Sequence, residues 1–323
     1  MIRFILLLFL GILSHATLAQ IDQAAVDDFA RNFAYRNRIH IDEVNDILSQ
    51  AKYDESIIAK MNRPAEGMPW HRYRNIFMKD ERIEAGVKFW NENQLTLDRV
   101  SEDTGVQPEI IVGILGVETY FGERKGNYRV LDALYTLSFG YPKRAKFFRS
   151  ELEDFLLLTR KENIDVYSVL GSYAGAMGYS QFMPSSYEAY AVSYEAGGTR
   201  DLMNSVEDAI ASVANYLKEH RWKRNAPVAL KAVVEANAQS IGKQSTRPKQ
   251  NIAYYGDLGY KPSSPLSPDT SVTLLSFDQP EGKEYWFGHY NFYVITRYNH
   301  SKLYALAVYQ LAEAIKEKKD LLK

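Results

Sequence analysis

Residues Ile114 to Gly122, ILGVETYFG, set a single carboxylate, Glu118, into an otherwise apolar run. Pro108 suits a first helical turn, and Ile110, Ile111, Ile114, Leu115 and Val117 place apolar side chains on most faces of the helix that follows. Such a helix has no side for water, so the chain must surround it. The helix is expected to end near Gly122, which puts Glu118 in the last turn. There the negative end of the helix dipole and the apolar surroundings both disfavour ionisation, so the carboxyl is expected to keep its proton toward neutral pH, as a general acid must. The competing reading sends Glu118 to solvent or pairs it with Arg124 or Lys125.

The 323-residue chain, 46% hydrophobic, is long enough for one large domain or two to three smaller ones. A formal net charge of -1 gives nucleic acid or an anionic membrane no general hold. Residues 1–19 read as an export signal: Arg3, the apolar Ile5 to Leu13, then Thr17-Leu18-Ala19. Nine or ten apolar residues are too few to span a bilayer, so cleavage is favoured over an uncleaved anchor. The absence of cysteine excludes disulfides, thiol catalysis, cysteine metal sites and a lipid on an N-terminal cysteine.

Residues 21–70 read as helix and loop, with Val26, Phe29 and Phe33 on one face, and breaks at Pro64 and Pro69. WHRYRNIF, Trp70 to Phe77, is either a helix entry with solvated arginines or an aromatic wall with Tyr73 facing a groove. Pro142 is expected to open a helix with Lys143 and Arg144 in its first turn, where the dipole disfavours cations; a solvated surface or an anionic ligand would each explain that. Tyr167 to Tyr187 holds Gly171, Gly175 and Gly178 and no acid or base. Its Ser172, Tyr179, Ser180 and Gln181 are neutral hydrogen-bonding groups on a backbone that others can approach closely; tight helix packing is the alternative. Ser205 and Asp208 have capping-box spacing. From Ala226 to Ile295, alternation (Val228, Leu230; Val272, Leu274), proline turns and the segments EYWFGH and NFYVIT predict a small β-rich module, the last two as a strand pair. Ser301 to Lys318 returns to helix.

The histidines have no metal-ligand spacing, GYSQF lacks the last glycine of a nucleophile elbow, and no phosphate-binding glycine motif occurs. One tuned acid, a polar small-residue loop and 23 tyrosines, 15 phenylalanines and 4 tryptophans suit a carbohydrate groove, since sugars offer C–H faces for stacking and hydroxyls at their edges. Glycosidases usually pair two carboxylates, and the loop offers no second one.

PWHRYRNIF, ILGVETYFG, YPKRAKFF, GSYAGAMGYSQFMPSSY, DAIASVANYL and NFYVITRYNHSKLYALAVYQL, in that order between about residues 70 and 312, resemble the lytic murein transglycosylases of the membrane-bound B type. The resemblance implies a mainly α (α+β) fold: residues 20–70 as an N-terminal helical extension, 71–225 as a lysozyme-like catalytic core, 226–296 as a small inserted β-domain, and 297–323 as a C-terminal helix packing back on the core. It implies cleavage of the β-1,4 bond between N-acetylmuramic acid and N-acetylglucosamine in peptidoglycan, forming 1,6-anhydromuramyl ends without water. Glu118 would act as acid and then as base. Ser172, Gln181 and Phe182 match groove residues, Tyr73 the groove tyrosine, and Tyr298, Asn299 and Tyr304 the segment closing the cleft. Lys143 and Arg144 match two arginines expected to meet muramyl carboxyl or peptide groups, and lysine lacks the planar two-point grip. Where some relatives hold calcium, this chain has Ser193, Glu195 and Gly197, with Asp208 at the last position, so no cofactor and no metal are expected. The expected partners are glycan strands, with cell-wall synthesis proteins besides; the expected place is the periplasm. A lysozyme-type hydrolase and a non-catalytic peptidoglycan-binding protein are the alternatives.

Overall fold

The computed structural model describes residues 21–63 and 67–322; the expected export signal and Pro64 lie outside them. Three helices open the chain: α1 (Gln23–Asn37), α2 (Ile41–Ser49) and α3 (Glu55–Met61). Asp22, His40 and Asp54 cap them by accepting first-turn amides. Next come α4 (Trp70–Phe77), α5 (Asp80–Glu92), α6 (Gln94–Thr104) and α7 (Pro108–Thr119). In α7, Pro108 stands in the first turn, and Ile110 to Gly116 are all buried.

The strand β1 (Tyr128–Arg129) leads into α8 (Val130–Gly140) and α9 (Ala145–Lys161), and β2 (Leu170–Gly171) pairs antiparallel with β1. Helices α10 (Pro184–Tyr190) and α11 (Val206–Glu219) follow, the latter capped by Ser205, which accepts the Asp208 amide as its spacing suggests. The sheet comes late in the chain. It consists of β3 (Ala229–Val234), β4 (Gln250–Asn251), β5 (Tyr260–Pro262), β6 (Ser271–Asp278) and β7 (Lys283–Gly288), in the order β4-β6-β7-β3-β5, all antiparallel, with α12 (Ile252–Asp257) between β4 and β5. The last two helices are α13 (Tyr290–Tyr298) and α14 (Lys302–Leu321).

Strand β6 is buried on both faces, because its alternate residues serve different cores. Val272 and Leu274 of β6, with Phe287 of β7, join Ile252, Tyr255 and Tyr260 in a small cluster within the module. Leu275 and Phe277, pointing the other way, belong to the large core formed by the helices.

NFYVIT is helical, not a strand: it lies in α13. Its β-branched and aromatic residues favour a strand locally, but packing prevails. Phe292, Val294 and Ile295 are fully buried in the main core. Asn291, also buried, donates to the carbonyls of Lys223 (2.8 Å) and Ala226 (3.0 Å) and accepts the Lys223 amide (2.9 Å), which fixes the start of the helix.

Two helices, α7 and α14, pack at close range. A Cβ on Gly113 would stand 2.8 Å from the Val308 carbonyl oxygen and 3.0 Å from the Ala312 Cβ, so only glycine admits this approach. The closeness sets the position of Tyr304, near the start of α14, relative to Glu118 at the end of α7.

Candidate active site

Glu118 occupies the last turn of α7 and is half-buried. The helix stops at Thr119, three residues before the expected Gly122, because Tyr120 and Phe121 both adopt the left-handed conformation (φ 53° and 59°). That conformation costs a non-glycine residue about 1 kcal/mol or more, and the surroundings must enforce it. Phe121 stacks on Phe89 at 5.5 Å and fills the space beside Gly116, where a Cβ would lie 2.7 Å from its ring. The buried Arg82 donates from Nη1 to the Gly116 carbonyl at 2.9 Å, one of the carbonyls that a helix end leaves without an intrahelical partner. Its guanidinium lies over the Tyr120 ring at 4.7 Å and the Phe77 ring at 5.2 Å.

The tyrosines stand opposite. Tyr304 Oη donates to Glu118 Oε1 at 2.6 Å. Tyr298 stacks on Tyr304 (6.4 Å, 10°), packs against Phe182 (5.7 Å) and Tyr216 (4.8 Å), and donates to the Ser180 carbonyl at 2.6 Å. Burial, and after it the charge of Glu118, hold both phenols well above the ordinary tyrosine range, so both remain donors at any physiological pH. The other groups acting on them are tyrosines, so Glu118 is the carboxylate of this cluster.

The glycine-rich loop is tied down on each side. Gly171 bridges Met177, and Met177 bridges Phe182. Gly126 passes so close to this loop that a Cβ there would lie 2.1 Å from the Gly171 carbonyl oxygen. Thr119, directly after the acid, donates to the Tyr179 carbonyl at 3.0 Å and so fastens the loop to the end of α7.

The residues proposed from the sequence are distributed unevenly. Glu118, Tyr298, Tyr304 and Phe182 come together. Gln181 is in the loop with φ 49°, its Nε2 donating to the carbonyls of Lys125 (3.0 Å) and Gly178 (2.9 Å), which leaves the amide oxygen for another group. Ser172 Oγ accepts the amides of Ala174 (3.3 Å) and Ala176 (3.1 Å), so it shapes the loop. Asn299 caps α13 and lines a cavity beside Ser301.

Tyr73 is 3% exposed, with its ring beside Trp70 (6.5 Å) and Phe77 (5.2 Å), and it is among the tyrosines that act electrostatically on Tyr304. Lys143 and Arg144 form a 3-10 turn with Pro142 ahead of α9, not its first turn, and both are exposed. Lys143 donates to Asn62 at 3.4 Å and Arg144 lies over Phe147 at 4.3 Å, neither touching the Glu118 cluster.

Thr119, Arg82 and Tyr216 escaped the sequence reading. Tyr216 donates to the Arg297 carbonyl at 2.5 Å and stacks on His220 at 4.2 Å. Its position on the α11 stripe suggests only a core residue. The available sign for Arg82 was its helical spacing to Gly86, Phe89 and Trp90, which puts an arginine on the apolar face of α5.

The 193–208 loop does not fit a hard divalent cation, which takes several anionic oxygens. Both Asp208 carboxylate oxygens accept amides, from Tyr194 (2.8 Å) and Asp201 (2.7 Å), so that side chain already closes the loop. Among the described residues no group of three or more histidines or carboxylates could hold a metal.

Comparison with known proteins gives one picture. The model of the transglycosylase SLT domain matches residues 22–313. The membrane-bound lytic murein transglycosylase B of Escherichia coli is 45% identical over 284 residues, which are 84% of this chain and 77% of that protein. The crystal structure of the soluble lytic transglycosylase SltB1 from Pseudomonas aeruginosa superposes with a TM-score of 0.85 at 43% identity, covering 91% of this chain and 99% of the other. SltB3 from the same organism, solved in complex with NAG-anhNAM-pentapeptide, gives 0.77 at 27% identity, covering 92% and 80%.

Proposed function

The chain belongs to the transglycosylase SLT domain family and is a lytic transglycosylase of peptidoglycan, and on that premise we propose that Glu118 alone carries its acid–base chemistry. The observation that supports this is the Tyr304–Glu118 hydrogen bond, set in an aromatic cluster where Glu118 is the carboxylate. A hydrolase with paired carboxylates would need a second one on the far side of the sugar.

In the first step the protonated Glu118 gives its proton to the glycosidic oxygen as the C1–O bond breaks. The acetamido carbonyl oxygen of the muramyl residue closes on C1 and takes up the positive charge. In the second step the muramyl 6-hydroxyl attacks C1, the bond to the acetamido oxygen opens, and the Glu118 carboxylate removes the hydroxyl proton. The acid is restored, no water is added, and the products are an N-acetylglucosamine end and a 1,6-anhydromuramyl end. Tyr304 holds one carboxylate oxygen in place through both steps, and Tyr298, fixed to the loop at Ser180, stiffens Tyr304 by stacking on it.

The Gln181 amide oxygen and Asn299 are proposed as contacts for the sugar hydroxyls and acetamido group, with Phe182 and Ser172 shaping the wall that carries them. Lys143 and Arg144, at the surface, would meet strand carboxylates beyond the reacting pair. The division into helical extension, core, β-module and closing helix is proposed to follow the boundaries read from the sequence, except that the β-module ends with β7 at Gly288 and α13 goes with the core. Among the described residues no helix is long and apolar enough to cross a membrane, and we place the protein in the periplasm, at its substrate.

Digestion of purified sacculi tests the activity. Products one water lighter than the hydrolytic muropeptides are expected, and reducing muramyl ends alone would sink the mechanism.

A further inference from the structure

Arg200 stands in the link between α10 and α11, beside the end of α9, and each nitrogen of its guanidinium donates. Nε and Nη2 reach Glu162 Oε1, in the cap of α9, at 3.0 and 2.8 Å, and Nη2 also donates to Glu188 Oε2 at 2.5 Å. Nη1 turns to the carbonyls around the end of α10: Tyr187 (3.3 Å), Glu188 (3.2 Å) and Ala191 (3.5 Å). In return the fully buried Tyr187 donates from Oη to the Arg200 carbonyl at 2.8 Å, so backbone and side chain of this residue are both held. Such a cage of oxygens suits a planar cation with several donors, which is the geometry of arginine and not of lysine. The Arg200 and Glu162 side chains are each 16% exposed, so this is no surface ion pair of the weak kind.

The residues after Arg200 run beneath the glycine-rich loop. The Asp201 amide is tied to α11 through Asp208 at 2.7 Å. The buried Leu202 then accepts the Tyr179 amide at 2.9 Å, and a Cβ on Gly178 would stand 2.2 Å from the same carbonyl oxygen. The Met203 carbonyl accepts Lys125 Nζ at 2.6 Å, and the Lys125 carbonyl in turn accepts Gln181 Nε2. Tyr179 is thus gripped from both sides, since Leu202 takes its amide while Thr119, directly after Glu118, donates to its carbonyl. One residue on, the Ser180 carbonyl accepts Tyr298, which stacks on the tyrosine that holds Glu118. Gln181 is kept at φ 49°, a conformation that costs a non-glycine residue about 1 kcal/mol or more, so this stretch relaxes unless its surroundings prevent it. A cavity of about 530 Å³, bordered by Arg200, Met203, Gly178 and Lys125, gives it room to do so.

We infer that Arg200 is a positioning residue for the reaction: its guanidinium fixes residues 200–203 as a brace under the glycine-rich loop, and the brace keeps Tyr179 to Gln181, and through them Tyr298 and Tyr304, in place around Glu118. The inference rests on the Glu118 chemistry proposed above. The bonds that leave the brace at Leu202 and Met203 end on the groove side, and this is what separates Arg200 from an ion pair that only stabilises.

The test measures kcat and KM on soluble glycan strands by counting anhydromuramyl ends, at a temperature well below each melting midpoint. Arg200→Met should lower kcat about tenfold with less change in KM, as a small displacement of the reacting groups predicts. Arg200→Lys keeps the charge without the fork and should lose part of that. Lys161→Met, which takes another cation from the exposed side of Glu188, should leave kcat unchanged; a fall as large as that of Arg200→Met would reduce the effect to the ion pairs and overturn the inference. A double-mutant cycle with Tyr298→Phe reads the route. That variant has already cut the link to Ser180, so Arg200→Met should cost less in it than in the wild type, and effects that simply multiply overturn the inference. If Arg200→Met does not fold, Arg200→Lys carries the cycle. Hydrogen exchange gives an independent reading: the Tyr179 amide should exchange faster in the Arg200 variants while the amides of α7 keep their protection, and unchanged exchange at Tyr179 overturns the brace. If the wild type gave no anhydromuramyl ends, the activity reading would fail, and exchange at Tyr179 would still decide the brace.

Discussion

Glu118 and Tyr304 are 186 positions apart in the chain and 2.6 Å apart in space. The phenol donates, so it favours the carboxylate over the carboxyl and holds one oxygen while the other exchanges protons. Replacing Tyr304 by Phe is expected to lower kcat about tenfold. The basic limb of the rate–pH profile should move to higher pH, since removing a donor favours the protonated acid; a profile that stays in place would show that the contact only packs. Glu118→Gln keeps the shape and removes the proton, and kcat should fall by roughly two to four orders of magnitude, read as anhydromuramyl ends per unit time. Tyr298→Phe breaks the bond to Ser180 alone, and a smaller loss is expected.

At the scale of elements, the α7–α14 contact decides whether those residues meet. Gly113→Ala puts a methyl against the Val308 carbonyl, which belongs to the backbone and cannot rotate away. It should cost about 1–3 kcal/mol and lower activity by parting the two helices, as a denaturation midpoint and a rate assay would record. Glu109, in the first turn of α7, has its carboxyl pushed upward, first by burial, against the opposing charge of Lys316. Because its folded pKa lies above the unfolded one, the fold carries no penalty below about pH 4.3 and loses stability as pH rises through the folded value. Glu109→Gln should therefore melt higher than wild type at pH 7 to 8 and equally at pH 4. Arg82 serves the other end of α7; Arg82→Met should destabilise by about 1.5–3 kcal/mol, with Arg82→Lys recovering part of that.

For the whole molecule, β6 joins two cores: Val272 and Leu274 face the module cluster, Leu275 and Phe277 the helical one. A sheet shared in this way should not melt by itself. Calorimetry is expected to show one transition, and Phe277→Ala, at a cost of about 3–5 kcal/mol, should shift it as a unit; two separated peaks would show that module and core are independent.

What could be read from the sequence was what neighbours in the chain decide. Pro108 and the spacing of Ile110, Ile111, Ile114 and Leu115 announce α7, Ser205 and Asp208 announce the start of α11, and the turns around Pro262 and Pro280 announce a sheet, because a helix start, a cap and a turn are settled within a few residues. The motifs around Glu118, Gln181 and Tyr304 likewise pointed to the family and its acid. Tertiary structure decided the rest. NFYVIT became helix because Asn291 and the main core required it, Tyr73 was enclosed beside Trp70 and Phe77, and Lys143 and Arg144 stayed at the surface. The pairing of Tyr304 with Glu118 and the clamp from Arg82 depend on helices packing over separations that no local pattern encodes, since such contacts come from the burial of whole faces rather than from the preferences of single residues.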